Sequence, residues 1–248
     1  MMNKTDNNKQ TEESLIRLNK FIASAGYCSR RQADRLIEAG KVLLNGNKAE
    51  LGAKVSSRDE VIVEGKLLDA QKEDDLVYLA FNKPQGVVCT ANPEIKDNII
   101  DYINYPVRIF TIGRLDKNSE GLILLSNDGS IFNKIVRAEH DNEKEYLVEL
   151  NKAYDQKFIE RMEKGVEILD KVTNPTKISP VSKTTFKLVL TQGLNRQIRR
   201  MCDALGYKVI FLRRLRIMNI NLGNLAIGSY RHLSQKELGD LFDLLPEE

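Results

Sequence analysis

The apolar positions follow two different rhythms along the chain. Leu15, Leu18, Ile22 and Ala25 recur at helical spacing, with Gly26 placed to end the run. Ser29 with Gln32 three residues on forms a capping box for a second helix, which carries Ala33, Leu36 and Ile37 and is closed by Gly40. Val42-Leu43-Leu44, the turn dipeptide Asn45-Gly46 and Val61-Ile62-Val63 then predict a small strand cluster. The polar remainder of the helix pair presents Arg17, Lys20, Arg30, Arg31 and Arg35, so residues 15–66 form a module with an apolar underside and a basic top. Residues 67–75, polar and acidic, read as a linker.

Beyond the linker, residues 76–248 alternate strands with helices. Residues 76–81 read as a strand running into the sharp loop Lys83-Pro84-Gln85-Gly86, and residues 109–112 and 122–125 as strands flanking Gly113-Arg114-Leu115-Asp116. Residues 144–150 and 186–191 give further strands. Ile198, Met201, Cys202 and Leu205 make residues 195–205 an amphipathic helix capped by Gly206, and a last helix over 235–245 stops at Pro246. The mixture predicts an α+β class, a small helical module followed by a domain around a mostly antiparallel sheet.

Composition excludes several functions. With 248 residues, 42% of them hydrophobic and 29% charged, the chain can bury a core but has no run near the ~20 apolar residues of a membrane span. Residues 1–14 are polar, without the apolar stretch of a signal peptide, so they are expected to be disordered and the protein cytoplasmic. Cys28, Cys89 and Cys202 form no C-x-x-C pair, and His140 and His232 are the only histidines. That argues against zinc modules, disulfide scaffolds and histidine-dependent hydrolases, leaving carboxylate, arginine, lysine, tyrosine or backbone to do any chemistry. Asp116-x-Asn118-x-Glu120-Gly121 opens like a calcium loop, but its twelfth position is Asn127 where a bidentate Glu is required. With no nucleotide-binding glycine motif either, neither metal nor cofactor is expected.

Charge adds a partner. The net +3 hides two basic segments: residues 15–66 hold ten Lys/Arg against six Asp/Glu, and residues 187–216 hold eight against one. Two separated basic segments suggest a polyanion contacted at two places.

Asp116, set between Arg114 and Lys117 in a glycine-bounded loop, reads in isolation as a turn aspartate satisfying its own backbone. Its company changes that reading: Lys144-Glu145-Tyr146 opens a strand, and Gly193-Leu194-Asn195-Arg196-Gln197-Ile198-Arg199-Arg200-Met201 opens a basic helix. The segment RLNKFIASAGYCSRRQADRLIEAGKVLLNG resembles an S4 RNA-binding domain. KPQG, GRLD, KEY and GLNRQIRRM together resemble the successive motifs of pseudouridine synthases of the RsuA/RluB/RluE/RluF class, and the segments HDNEKEYLVEL, QGLNRQIRRMCDALGY and LRRLRIMNI are most similar to its RluF branch. The resemblance runs from Leu15 to the final helix, although the chain ends in Leu-Leu-Pro-Glu-Glu without the long basic tail of some relatives.

That resemblance implies Asp116 as the reacting carboxylate, Arg199 as its salt-bridge partner with Arg200 the adjacent candidate, and Tyr146 as the ring that stacks on a flipped base. Arg114 would enter the space left by that base or contact phosphate, and Lys83 and Pro84 would shape the loop, while the charge of residues 187–216, not the resemblance, assigns Arg196 and Arg200 to phosphate. The implied partner is ribosomal RNA, first that of the large subunit (23S), then that of the small subunit or a tRNA stem-loop, bound by a monomer. A noncatalytic RNA-binding factor and a base-releasing glycosylase are the competing readings.

Overall fold

A computed structural model describes residues 15–70, 72, 75–136 and 141–246; the stretch 1–14, expected to be disordered, lies outside the described residues. The chain divides into two compact units, Met1–Asp75 and Leu76–Glu248.

In the first unit the helices α1 (Leu18–Ser24) and α2 (Arg30–Glu38) bury Leu18, Phe21, Ile22, Ala33 and Ile37. The first helix is shorter than its periodicity predicts. Ile16 and Arg17 form strand β1, paired antiparallel with β4 (Lys54–Val55), and Leu15 is left exposed; the ladder overrides the helical spacing at that end. Arg17 is therefore the residue that precedes α1, not one of its faces. Ser29 caps α2, its Oγ accepting the Gln32 N–H at 3.2 Å. Asn45 (φ 50°) and Gly46 (φ 78°) both take the left-handed conformation that a two-residue hairpin needs between β2 (Val42–Leu44) and β3 (Asn47–Lys48). Strand β5 (Val61–Val63) pairs with β2 on one side and with β6 (Lys66–Leu68) on the other. Leu67 and Leu68, expected to open the linker, thus belong to this sheet, and Leu68 packs into the core. Three-residue alternation is too short to distinguish from a polar connection until its partner strand is known.

The second unit is built on a sheet of nine strands among the described residues. Its order is β13 (Lys177–Pro180), β14 (Thr185–Leu190), β10 (Lys144–Leu150), β15 (Val209–Ile217), β9 (Glu120–Ser126), β7 (Tyr78–Lys83) and β17 (Tyr230–His232), with β8 (Phe110–Ile112) on β9 and β16 (Ile220–Asn221) on β15. A two-strand ribbon, β11 (Glu167–Ile168) and β12 (Lys171–Val172), stands apart. Every pairing in the large sheet is antiparallel except β15 with β9, joined through Arg213↔Glu120 and Arg214↔Gly121. Gly121 permits that approach: its φ is +104° and a Cβ there would collide with the Arg214 backbone.

Helices cover both faces. Phe158 and Met162 of α5 (Gln156–Lys164) and Ile198, Met201 and Cys202 of α6 (Gln197–Ala204) pack on one face. Ile131 and Ile135 of α4 (Ile131–Val136) and Leu241 of α7 (Gln235–Leu244) pack on the other, while α3 (Ile99–Ile103) follows the loop after β7. This explains why β9 reads as an unbroken apolar run and is buried at all seven positions. The last helix opens with a complete capping box between Ser234 and Glu237. No helix among the described residues is long and apolar enough to cross a membrane.

Candidate active site

A cleft of about 750 Å³ opens in the second unit where the loop 113–119, residues 192–199 and the ends of β10 and β15 converge. Gly113 (φ +80°) turns the chain off β8, and Leu115 is buried with its N–H donating to Cys89 Sγ at 3.4 Å. The carbonyls of residues 117–119 are held from outside the loop. Lys117 O accepts from Gly86 N–H at 2.8 Å, Asn118 O from Arg199 Nη2 at 3.0 Å, and Ser119 O from Lys83 Nζ at 2.8 Å. Lys83 is fully buried, its ammonium also donating to Pro84 O at 2.8 Å, and burial lowers its pKa from the ordinary lysine value. Stranding the buried Ser119 carbonyl would cost about 1–3 kcal/mol, so the Lys83 contact resists rearrangement of the loop.

These contacts leave one group uncommitted. Among the described residues no hydrogen bond from the turn ends on the Asp116 carboxylate, so it is not the self-satisfied turn aspartate of the local reading. Its Oδ2 instead lies 3.6 Å from Arg196 Nη1 and 3.9 Å from Arg199 Nε. Arg199 is held by Val209 O (3.1 Å to Nη1) as well as by Asn118 O, and its Nε is buried with no hydrogen-bond partner among the described residues. Burial, then the neighbouring Arg196 charge, lowers the pKa of Arg199, while Asp116 opposes the shift. Arg196 adopts a left-handed conformation (φ 51°, ψ 35°) just before α6, a strain of about 1–2 kcal/mol for a residue with a Cβ. That entry sets its guanidinium across from Asp116, nearer than Arg199. Local pattern reading assigns Arg196 to phosphate and cannot foresee an unusual backbone angle.

The floor comes from the sheet. Along β10, Val148 and Leu150 face the core, and two residues earlier the same face carries Tyr146 and then Lys144 into the cleft. The ladder between β10 and β15 slips at this point: Glu145 pairs with Arg216 but Tyr146 with Arg214, leaving Leu215 as the extra residue of a bulge. Arg214 is thereby brought beside Tyr146 with 4% of its surface exposed. Its Nε donates to Leu122 O at 2.7 Å and its Nη1 to the Tyr146 hydroxyl at 3.4 Å, with the guanidinium carbon 5.9 Å from the ring centre. Lys144 donates to Asn142 O at 2.8 Å, and burial, followed by the Arg214 charge, pulls its pKa down to about 8.

Of the residues marked by the sequence, Arg114, Asp116, Tyr146, Arg196 and Arg199 line this one cleft. Arg200 does not: its guanidinium donates to Asn195 O at 3.0 Å and Asn195 Oδ1 at 3.2 Å, closing the turn before α6. Arg17, Lys20, Arg30, Arg31 and Arg35 are all exposed on the first unit. The basic segment 187–216 is not the continuous polyanion surface that its charge suggests. Arg213 pairs with Glu120, Arg216 with Glu143 at 2.8 Å and Lys187 with Glu145 at 3.5 Å. Arg214 and Lys144 are site residues to which pattern reading assigns no role. The available signal was an arginine at the alternate position from Leu212 in a Val-Ile-Phe-Leu strand pattern, where a charge is buried and must be partnered.

A family model described as RNA pseudouridylate synthase matches residues 77–204, and one described as the S4 domain matches residues 16–61. The dual-specificity RNA pseudouridine synthase RluF of Escherichia coli (strain K12) is 49% identical over 94% of this chain and 80% of its own length. The ribosomal large subunit pseudouridine synthase B of Bacillus subtilis (strain 168) is 35% identical over 90% of this chain and 93% of its own. A crystal structure of a pseudouridylate synthase, 33% identical, superposes with a TM-score of 0.67 over 91% of this chain and 99% of that one.

Proposed function

The chain belongs to the RNA pseudouridylate synthases that carry an S4 domain, and from that premise we propose that it converts a uridine of large-subunit ribosomal RNA to pseudouridine at the Asp116 cleft. The observation that carries the assignment is the Asp116 carboxylate, free of hydrogen bonds from its own turn and aimed between two guanidinium groups. The reaction breaks the C1′–N1 bond, turns the uracil and joins C5 to C1′. Asp116 either attacks C1′ or balances the positive charge that develops there, and the caged loop holds it in place without reorganisation. Arg196 and Arg199 set its direction. The target uridine leaves its stack to reach the cleft, at a cost of a few kcal/mol, and stacking on the Tyr146 ring returns about 1–3 kcal/mol. Arg114, exposed at the mouth, contacts the RNA that the flipped base vacates.

The exposed Arg17, Lys20, Arg30, Arg31 and Arg35 of the first unit hold structured RNA through its phosphates. A relative named for the large ribosomal subunit supports that RNA as the first substrate, and another named as dual-specific supports a second, for which a tRNA stem-loop is the candidate. Ribosomal RNA as substrate places the work in the cytoplasm.

The test is to map pseudouridine in total RNA from cells with and without the gene, then to convert the mapped RNA with purified protein. Loss of one large-subunit pseudouridine and its restoration in vitro, without release of free uracil, is the expected result. An unchanged map, or free uracil as product, would overturn the reading in favour of a binding factor or a glycosylase.

A further inference from the structure

Resting on that reading, we propose that Arg214 is a catalytic residue: it donates a hydrogen bond to a carbonyl oxygen of the flipped uracil and carries the negative charge that the base acquires as the C1′–N1 bond breaks. Arg214 lines the cleft, is buried, and forms no ion pair with a carboxylate among the described residues. Its Nη2 is buried without a hydrogen-bond partner among them. An unpaired cation out of contact with water is strongly destabilising, so such a group is retained where a ligand completes it.

Its placement is built rather than incidental. Leu122 O holds Nε and the Tyr146 hydroxyl receives Nη1, so Nη2 has a fixed direction relative to the ring on which the base stacks. Two backbone irregularities serve this one side chain. The bulge at Leu215 brings Arg214 opposite Tyr146, and Gly121 lets β9 approach the Arg214 backbone.

The chemistry calls for such a group. When C1′–N1 breaks, the bonding pair leaves with uracil and spreads over N1, O2 and O4, while Asp116 meets the cationic C1′. C5 of the turned base then attacks C1′, the carboxylate is released, C5 loses its proton and N1 gains one. Atoms and charge balance without a further reactant. An ordinary glycosidase supplies a second carboxyl group as general acid, but Asp116 is the only acidic residue among the described residues that line this cleft. A general acid would also neutralise the base and blunt its attack through C5. A guanidinium keeps its proton, so it stabilises the anion and leaves it nucleophilic.

The experiment is a single-turnover assay with a synthetic stem-loop carrying the mapped uridine, or the same RNA with sulfur, a weak acceptor, at O2 or at O4 of that uridine. Arg214→Met should slow conversion of the oxygen substrate about a hundredfold or more, as loss of an oxyanion donor does, with RNA affinity held within a few-fold. Sulfur at the contacted oxygen should slow the wild type and leave Arg214→Met no slower than it already is. Wild-type rates for Arg214→Met, or equal sulfur effects in both proteins at both positions, would overturn the proposal. Should circular dichroism show Arg214→Met unfolded, Arg214→Lys, which keeps the charge but not the fork, carries the same comparison and should show a reduced sulfur effect. A wild-type protein that forms no pseudouridine overturns the parent reading itself.

Discussion

Helix α2 and strand β15 each carry three arginines, and their surroundings differ at every one. Arg30, Arg31 and Arg35 of α2 are exposed, and among the described residues none is in an ion pair. In β15, Arg213 is paired with Glu120, Arg216 with Glu143, and Arg214 is buried against Tyr146. A two-turn helix lying on its apolar side must turn its remaining side chains to water, where a cation costs nothing to keep and is available to a phosphate. A strand inside a sheet covered on both faces leaves its arginines little water: Arg213 and Arg216 are only partly exposed and Arg214 is buried. Each there must find a carboxylate, a carbonyl or a substrate, and so becomes architecture or chemistry. Equal charge density in a sequence therefore says little about use until the element that carries it is known.

The sharpest way to break this contrast is at Arg199, which belongs to the second group through Val209 O, Asn118 O and Asp116. Arg199→Met should lower the single-turnover rate by about a hundred- to a thousandfold, equivalent to ~3–4 kcal/mol of transition-state stabilisation, with RNA affinity changed only a few-fold. Loss of affinity with the rate at saturation preserved would make Arg199 a phosphate ligand and dissolve the contrast.

The complementary change is Arg30→Glu with Arg31→Glu and Arg35→Glu. RNA affinity should fall about ten- to a hundredfold, and the slope of log affinity against log salt should shrink by about one for each phosphate no longer neutralised. The rate at saturating RNA should stay near wild type. Filter binding across a salt series checks the first statement and single-turnover assays the second; an unchanged slope would remove the docking role from α2.

The smallest effect is expected at Lys144, which lines the cleft with its pKa lowered to about 8. Because the ammonium is charged below that value and neutral above it, the wild-type cleft loses one positive charge as pH rises from ~7 to ~9, and RNA affinity should drop a few-fold across that window. Lys144→Gln has no charge to lose and should be flat over the same range. Fluorescence anisotropy with labelled RNA distinguishes the two profiles; parallel curves would show that Lys144 does not face the RNA.

Where a signal was local, it was legible in the chain. The Ser29 cap, the Asn45-Gly46 hairpin, the helix over α6 and the strand Lys144–Leu150 each depend on residues within one or two turns of one another. The grouping of Asp116, Tyr146 and Arg199 came through motif resemblance, since nothing in their spacing brings a loop, a strand and a helix together. Strand β15 went unread because three arginines interrupt its apolar pattern, and the partners that satisfy them lie on β9, on β10 and just before β10. The position of Arg196 rests on one left-handed residue, and the membership of Leu67 and Leu68 in the first sheet rests on pairing with β5. Each of these is a non-local or conformational fact that residue type alone does not encode.

The central claim, that chemistry resides in the Asp116 cleft while recognition is supplied by separate cations, is tested most directly by Asp116→Asn. This change keeps the size of the side chain and removes the reacting charge. A single-turnover titration on the mapped RNA gives the maximal rate and the half-saturating concentration together. The account predicts a maximal rate lower by about three orders of magnitude or more, since ~4 kcal/mol of lost transition-state stabilisation is a factor near a thousand, with half-saturation within a few-fold of wild type. Conversion by Asp116→Asn at near the wild-type rate would contradict it.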